Sequence, residues 1–159
     1  MSKYDELRMA VSSLVTAEDI YWEKLYDAYF NFQANFREFL GLTNEKAVDS
    51  KGKTVPILMT GLYDPSSKQI IPTAPPALPK EDRKLCFQFL LNLCSYETDD
   101  IQIRKLINVK VRRHGDEYYF EFEGFPSEIK CYEIDGNVDM TPLFEAVHSA
   151  LITKLNVRN

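Results

Sequence analysis

Apolar residues recur at spacings of three and four through the first quarter of the chain, which is the period of an amphipathic α-helix. Residues 2–15 are therefore predicted to form a first helix. Its apolar stripe consists of Tyr4, Leu7, Val11 and Leu14. Thr16 and Asp19 have the spacing of a capping box, which predicts the start of a second helix. This helix is predicted to run from Thr16 to Leu40, and Gly41 to end it in the left-handed conformation.

The next part of the chain has mixed patterns. Thr54 to Tyr63 is rich in residues that favour strands, and the turn residues after it lead into Gln69–Ile71, so a hairpin is predicted. The prolines between residues 72 and 79 favour an extended connector. A helix is predicted from Pro79 to about Ser95, with acids in its first turn. Its buried side would consist of Leu85, Phe89, Leu90 and Leu93.

Strict alternation of apolar and polar residues begins near residue 107 and predicts a half-buried strand. Gly115 and Asp116 then supply a two-residue turn with glycine first, as a type II′ hairpin requires. Counting back across the turn gives three pairs: Val111 with Phe120, Val109 with Phe122, and Lys110 with Glu121. One face of this hairpin is apolar and the other is charge-matched, so the register is self-consistent.

The C-terminal part is predicted to add a strand and a helix. Glu128 to Ile134 is predicted to complete a three-stranded meander, and Thr141 with Pro142 to open the last helix as N-cap and first residue. The inner face of that helix would be Phe144, Val147, Leu151 and Leu155. The order ααββαβββα predicts one α+β domain, residues 1–159. An antiparallel sheet, built of a hairpin and a meander, would carry helices on one face.

Composition narrows the setting of the protein. A formal charge of −5 and an isoelectric point near 5.1 argue against a broad nucleic-acid surface. No apolar run approaches the ~20 residues of a membrane span, and the opening residues lack the apolar core of a signal peptide. Three cysteines without a C-x-x-C pair are typical of reduced thiols. We therefore expect a cytoplasmic protein that does not contact a membrane.

One pattern has an enzyme-like outline. Asp116 lies in the hairpin turn, and Glu128 and Lys130 follow on the next strand, as in some metal-dependent nucleases. There, carboxylates hold Mg²⁺ and a lysine steadies the attacking water. A Glu-x-Lys pair is equally typical of the solvated face of a strand. A metal-dependent nuclease or hydrolase using these three residues is therefore kept as an alternative.

Other catalytic and metal-binding patterns are missing from the sequence. His114 and His148 have no Ser, Cys or Asp at the spacing of a triad. On the predicted helix, Cys86 and Cys94 would lie two turns apart, or ~12 Å, which is too far to share a metal ion. There is no glycine-rich phosphate loop and no nucleophile elbow. We therefore expect no cofactor and no metal.

The second helix carries more aromatic surface than one core contact requires. Eight of the twenty aromatic residues lie between Tyr21 and Phe39. On a helical wheel the apolar arc covers about 200°, against roughly 100° for a single core face. Either helix 2–15 and the last helix both pack on it, or one flank is left for a second subunit or a partner. That flank, the predicted partner-binding site, consists of Trp22, Tyr26 and Phe30, rimmed by Gln33 and Arg37.

These observations favour a small acidic binding protein without catalytic activity, acting on a protein partner or on itself. By analogy of composition and fold, the candidates are an immunity- or antitoxin-like inhibitor, a dimeric secretion chaperone and an accessory protein of a mobile element. Binding would bury the aromatic flank and match a basic partner in charge. A third alternative is a small apolar ligand held between the aromatic rings.

Overall fold

One continuous helix of 38 residues, α1 (Lys3–Leu40), replaces the two predicted N-terminal helices. We describe the chain from a computed structural model, which covers residues 1–156. Ser2 caps the helix in a capping box with Asp5, and Gly41 ends it at φ 74°, as predicted. The predicted start at Thr16 is wrong. Because no glycine or proline lies between Ser2 and Gly41, nothing interrupts the helix there.

Ten strands of 2 to 14 residues and a last helix follow within the described residues. The strands are β1 (Lys46–Val48), β2 (Thr54–Pro56), β3 (Leu58–Asp64), β4 (Gln69–Ile71), β5 (Lys80–Glu81), β6 (Lys84–Cys94), β7 (Ile101–His114), β8 (Glu117–Phe122), β9 (Ile129–Ile134) and β10 (Asn137–Asp139). A single 3-10 turn spans Pro75–Ala77, and the last helix, α2, spans Thr141–Leu155.

The strands form one large antiparallel sheet and one small hairpin. The large sheet has the order β10-β9-β8-β7-β6-β3-β4, and β5 pairs with the end of β6; β1 and β2 pair separately. Both helices cover the same face of the large sheet, where alternate residues of its central strands join one core with α1 and α2. The predicted α+β class, an antiparallel sheet with helices on one face, is confirmed.

The predicted hairpin register is confirmed at all three pairs. Val111 pairs with Phe120 and Lys110 with Glu121 in β7 and β8, and Val109 lies opposite Phe122. Gly115 has φ 60°, as its place in the turn demands. The hairpin of β3 with β4 and the third meander strand, β9, are also present. Four strands were missed: β1 and β10, each of three residues, and β5 and β6, which fall in a predicted helix.

The helix predicted from Pro79 to Ser95 is wrong, because this segment forms β5, a tight turn and β6. The true buried set has a period of two: Leu85, Phe87, Phe89 and Leu91. Leu90 on the opposite face is buried as well, so the apolar run is nearly continuous and gives no clear period. The turn itself uses Asp82 and Arg83, both at positive φ, instead of the glycine that marks most such turns.

The last helix was predicted correctly, but its cap lies one residue earlier. Met140 is the N-cap residue and Thr141 already belongs to α2. The carboxylate of Asp139 accepts hydrogen bonds from the backbone N–H and hydroxyl of Thr141, at 3.1 and 2.7 Å. Of the predicted inner face, Phe144 and Val147 are buried.

No helix in residues 1–156 is both long enough and apolar enough to cross a membrane. α1 has the length, but charged residues occur throughout it. That residues 1–159 form one domain stays a prediction, and residues 157–159 lie outside the described part of the chain.

Candidate interaction surface on helix α1

The N-terminal half of α1 projects away from the rest of the protein. No residue between Met1 and Ile20 is buried, and the first buried residue of the helix is Tyr21. At 1.5 Å per residue, this projecting part is roughly 27 Å long. We call residues 3–20 the arm. The alternative in which helix 2–15 packs back onto the aromatic helix is therefore wrong, because both segments belong to one continuous helix.

The arm carries an exposed apolar stripe. Tyr4, Leu7, Val11 and Leu14 are 58–68% exposed, and Val15 beside them is 52% exposed. The same heptad positions continue along α1 into Tyr21, Leu25, Ala28 and Phe32, which are all buried against the sheet. Glu18 occupies the one heptad position between Leu14 and Tyr21 and separates the two parts of this pattern, which is packed in the C-terminal half of the helix and uncovered in the arm. We call these five exposed residues the arm stripe.

The buried half of the aromatic arc is covered by the sheet and by α2. Phe32 lies 5.1 Å from Phe87 of β6 between ring centroids, and Phe36 stacks on Phe144 of α2 at 4.7 Å. Tyr29 packs on Phe87 at 5.0 Å and donates a hydrogen bond to the carbonyl of Thr73, at 2.9 Å. Strands cover most of the arc that the sequence assigned to helices.

Two residues of the predicted partner-binding flank, Trp22 and Tyr26, contact Lys80 of β5. Trp22 and Tyr26 stack with centroids 6.5 Å apart and are partly buried at the edge of the core. The ammonium group of Lys80 lies 5.2 Å from the Trp22 ring and 5.3 Å from the Tyr26 ring. Cation–π attraction holds the Lys80 ammonium group near both rings. These rings are therefore partly covered within the chain.

The other three flank residues differ in exposure. Phe30 is 75% exposed. Gln33 accepts a hydrogen bond from the backbone N–H of Thr60, at 3.0 Å, and Arg37 donates one to the carbonyl of Thr43, at 3.3 Å. Gln33 and Arg37 thus have structural contacts of their own, which leaves Phe30 as the most open apolar group of the predicted flank.

The nuclease alternative places its residues apart. Asp116 lies in the hairpin turn, at the level of Glu133 on the neighbouring strand. Glu128 is five residues from that level, which corresponds to roughly 16 Å along a strand. Glu128 accepts both hydrogen bonds of a bidentate pair with Arg112, at 2.7 and 2.8 Å, and this pair lowers the pKa of Glu128. The structure does not bring Asp116 and Glu128 together, and nuclease activity stays a prediction.

The outer face of the sheet carries a cavity of about 680 Å³ lined by basic residues of β6 and β7. Each of these cations has a carboxylate partner: Lys84 with Glu121 at 3.0 Å, Lys110 with Glu81 at 3.2 Å, and Arg112 with Glu128 at 2.7 Å. Lys130 pairs with Glu117 at 3.7 Å. This face is charged but internally neutralised, as expected of a solvated sheet surface.

The cysteines and histidines form no cluster. Burial raises the pKa of the Cys131 thiol to about 11, and it also raises the pKa values of Cys86 and Cys94. Cys86 and Cys94 lie on a strand, so they are roughly 26 Å apart and not the distance expected on a helix. His148 packs against Phe39 with centroids 6.3 Å apart. Within residues 1–156, no three His, Cys, Asp or Glu side chains group to hold a metal ion.

Comparison with protein-family models, with curated proteins and with solved structures finds no match for this chain. The arm stripe is an apolar surface that the rest of the chain leaves uncovered. The spacing of Tyr4, Leu7, Val11 and Leu14 was visible in the sequence, but the supposed break near Thr16 led to its assignment as core.

Proposed function

We propose that the protein is a non-catalytic binding module whose contact surface is the arm of α1, and that the arm binds a second copy of the same chain. The observation that carries this proposal is the uncovered arm stripe, whose heptad positions are occupied beyond Glu18 by residues that are packed against the sheet. An apolar helical stripe at a and d positions associates with a similar stripe in water.

The spacing of the arm stripe supports a second copy as the occupant. Its four heptad residues follow at intervals of three, four and three, so the pattern reads the same in both directions. Two antiparallel arms, related by a two-fold axis near Met9, place Tyr4 opposite Leu14 of the other copy and Leu7 opposite Val11. Such an isologous contact uses one patch twice and closes into a dimer.

Charge on the arm does not oppose this pairing. Lys3 and Arg8 flank Asp5 and Glu6, and ion pairs join Lys3 to Glu6 at 3.8 Å and Arg8 to Asp5 at 4.0 Å. The arm is therefore close to neutral in its first turns although the whole chain carries −5. Two arms can approach without strong like-charge repulsion, because the excess acid lies elsewhere.

The area available sets the expected strength. The five residues of the arm stripe offer roughly 300–600 Å² of apolar surface per copy, because burying one large apolar side chain contributes about 1.5–3 kcal/mol at about 25 cal/mol per Å². With polar flanks counted, two arms bury about 1,000 Å² in total, which is the lower limit for a specific interface. We therefore expect a reversible dimer with a dissociation constant in roughly the micromolar range.

The predicted flank extends this surface toward the body of the protein. Trp22 follows Val15 by one heptad, so it lies on the same side of α1 at the base of the arm. Phe30 lies further along, next to Tyr26. A protein partner of basic character could use this flank in addition to the dimer contact. Roles as an immunity- or antitoxin-like inhibitor, a secretion chaperone or a mobile-element protein stay predictions.

The solution mass tests the dimer. Sedimentation equilibrium of the wild-type chain from about 1 to 300 μM should show a monomer–dimer equilibrium with a dissociation constant in roughly the micromolar range. Val11→Asp should give a monomer at all concentrations. Met9→Asp is the matched control, because Met9 is 57% exposed on the opposite side of the arm, and it should leave the dimer intact. A monomeric wild-type chain, or equal effects of both substitutions, would show that the arm stripe does not pair.

Single-cysteine variants test the antiparallel register. In a background with the native cysteines replaced, Leu7→Cys mixed with Val11→Cys should give a mixed disulfide under mild oxidation. Each variant alone should give little. The reverse result, in which Leu7→Cys or Val11→Cys cross-links strongly with itself, would indicate parallel arms and contradict the proposed alignment.

A further inference from the structure

A second cavity of about 580 Å³ lies at the edge of the sheet, where three separate segments meet. The segments are the β1–β2 turn at Asp49–Lys51, the β3–β4 turn at Ser66–Gln69 and the start of β7 at Ile101–Arg104, and Val55 of β2 and Asn92 of β6 complete the lining. A volume of this size suits a small organic ligand. The cavity uses none of the residues of the arm, so what it binds is a separate question from the proposed dimer.

The charged groups of this cavity differ from those on the outer face of the sheet. Lys51, Lys68 and Arg104 line it together with one carboxylate, Asp49. Along the described chain, none of these three cations has a carboxylate within 4.0 Å, whereas the cations of the larger cavity are all paired. Three cations and one anion give the lining a net charge of about +2, in a chain whose total is −5.

Arg104 is held in place by neutral groups. Its Nε donates to the side-chain oxygen of Asn92 at 3.2 Å, and its Nη2 donates to the backbone carbonyl of Lys68 at 2.7 Å. Neither acceptor neutralises the guanidinium, so the group is oriented and keeps its full charge. Its remaining N–H groups, including those on Nη1, have no acceptor among the described residues.

Asn92 supports this orientation from inside the protein. Asn92 is 1% exposed and, tyrosines aside, is the one buried polar or charged residue in the described part of the chain. Its amide donates to the carbonyl of Pro56 at 2.8 Å, which fixes the oxygen toward Arg104. A buried, hydrogen-bonded asparagine beside an unpaired arginine is how a rigid scaffold preorganises a binding group.

We propose that this cavity binds the phosphate group of a small polar phosphoester, with Arg104 as its anchor and Lys51 and Lys68 as further cations. A phosphate monoester carries a charge near −2 at neutral pH, which matches the lining. Arginine recognises such a group through paired N–H donors. The cavity is also lined by the apolar side chains of Val55 and Ile101 and by hydroxyl and amide side chains, among them Ser66, Ser67, Gln69 and Gln102, which suit a hydroxylated ligand body.

Isothermal titration of the full chain at low salt tests this assignment with three probes: inorganic phosphate, ribose 5-phosphate and ribose. Both phosphate compounds should bind, and ribose 5-phosphate should bind more tightly if the body of the ligand is also recognised. Ribose alone should not bind. Equal affinity for the two phosphate compounds would assign the site to free phosphate.

Two arginine variants make the test specific. Arg104→Gln should weaken binding at least about tenfold, because a charge-assisted contact to phosphate is lost. Arg112→Gln, which removes a paired cation on the other cavity, should leave the affinity unchanged. Amide shifts in NMR should fall in residues 49–51, 66–69 and 101–104. No binding of either phosphate compound, or equal weakening by both variants, would overturn the assignment.

Discussion

Glu18 and Arg83 mark the point at which α1 leaves the body of the protein. The Nη1 group of Arg83 donates to both carboxylate oxygens of Glu18, at 2.8 and 3.1 Å. One turn later, the hydroxyl of Tyr21 donates to the backbone carbonyl of Arg83, whose guanidinium lies 4.2 Å from the centre of the Tyr21 ring. The tight turn between β5 and β6 thus holds the helix at the base of the arm.

Removal of residues 1–15 should leave a folded protein. The arm contributes no buried residue, so the free energy of unfolding should change by no more than about 1 kcal/mol. Thr16 and Asp19 can then form the capping box of the shortened helix. The full-length helix does not need this capping box. Urea unfolding followed by circular dichroism measures the change.

Loss of cooperative unfolding in the shortened chain would contradict this expectation. The shortened chain should also be a monomer in sedimentation, since the arm stripe is gone. In the monomeric Val11→Asp variant, backbone amides of the arm should exchange with solvent much faster than those of residues 25–36, which are packed on the sheet.

The two phenylalanines Phe30 and Phe36 should differ sharply on replacement by alanine. Phe36 is fully buried and stacks on Phe144, with Phe89 at 5.4 Å, so Phe36→Ala should cost about 3–5 kcal/mol. Phe30 is 75% exposed, and Phe30→Ala should change stability by less than about 0.5 kcal/mol. Chemical denaturation distinguishes them, and Phe36→Leu gives a milder loss if Phe36→Ala does not fold. Similar costs at both positions would mean that Phe30 is covered.

The fold could be predicted where local signals agreed with the tertiary structure. The hairpin of β7 and β8 has a clean period of two and a glycine turn, so its register followed from the sequence. β6 could not be predicted in this way, because it is central and is buried on both faces around Leu90. The turn before β6 places Asp82 and Arg83 at positive φ, and neither residue is the glycine from which such a turn is usually predicted.

The candidate sites were harder to predict from the sequence than the fold. The arm stripe was visible as a pattern, but whether a stripe is covered depends on where the sheet ends, and that is a tertiary property. The cavity at Arg104 joins three segments up to 55 positions apart in the chain, from Asp49 to Arg104. No spacing rule connects them. The pairing of Arg112 with Glu128 likewise depended on the strand register and weakened the nuclease pattern.

Gly61 should not tolerate a side chain. It lies in β3 at φ 154°, and a Cβ atom there would come within 2.2 Å of the carbonyl oxygen of Ile71. Gly61→Ala should therefore cost about 3 kcal/mol or more, since steric overlap adds to backbone strain. Gly52→Ala is the control: Gly52 also has positive φ, but its Cβ would meet nothing within 4 Å, so only about 1 kcal/mol is expected. Equal thermal shifts for the two variants would exclude the steric contribution.

Glu133 should make the stability of the protein depend on pH in the acidic range. The hydroxyl of Tyr118 donates to its carboxylate at 2.9 Å and lowers its pKa, and Lys24 at 3.3 Å lowers it further, against the opposing effect of burial. The folded-state pKa is thus below the unfolded value. The stabilisation is present above the unfolded pKa, near 4.3, and is lost as the pH falls through the folded pKa.

Glu133→Gln tests this contribution, because glutamine keeps an acceptor for Tyr118 but cannot ionise. At pH 7 the variant should be less stable by about 1 kcal/mol, and the difference from the wild-type protein should shrink as the pH falls from about 5 to 3. Glu38→Gln, at an exposed carboxylate of α1 with no ion pair within the described residues, is the matched control and should keep the wild-type stability at pH 7. Urea unfolding at a series of pH values measures all three chains. A Glu133→Gln profile parallel to that of the wild-type protein would mean that the Tyr118–Glu133–Lys24 contact does not favour the ionised carboxylate.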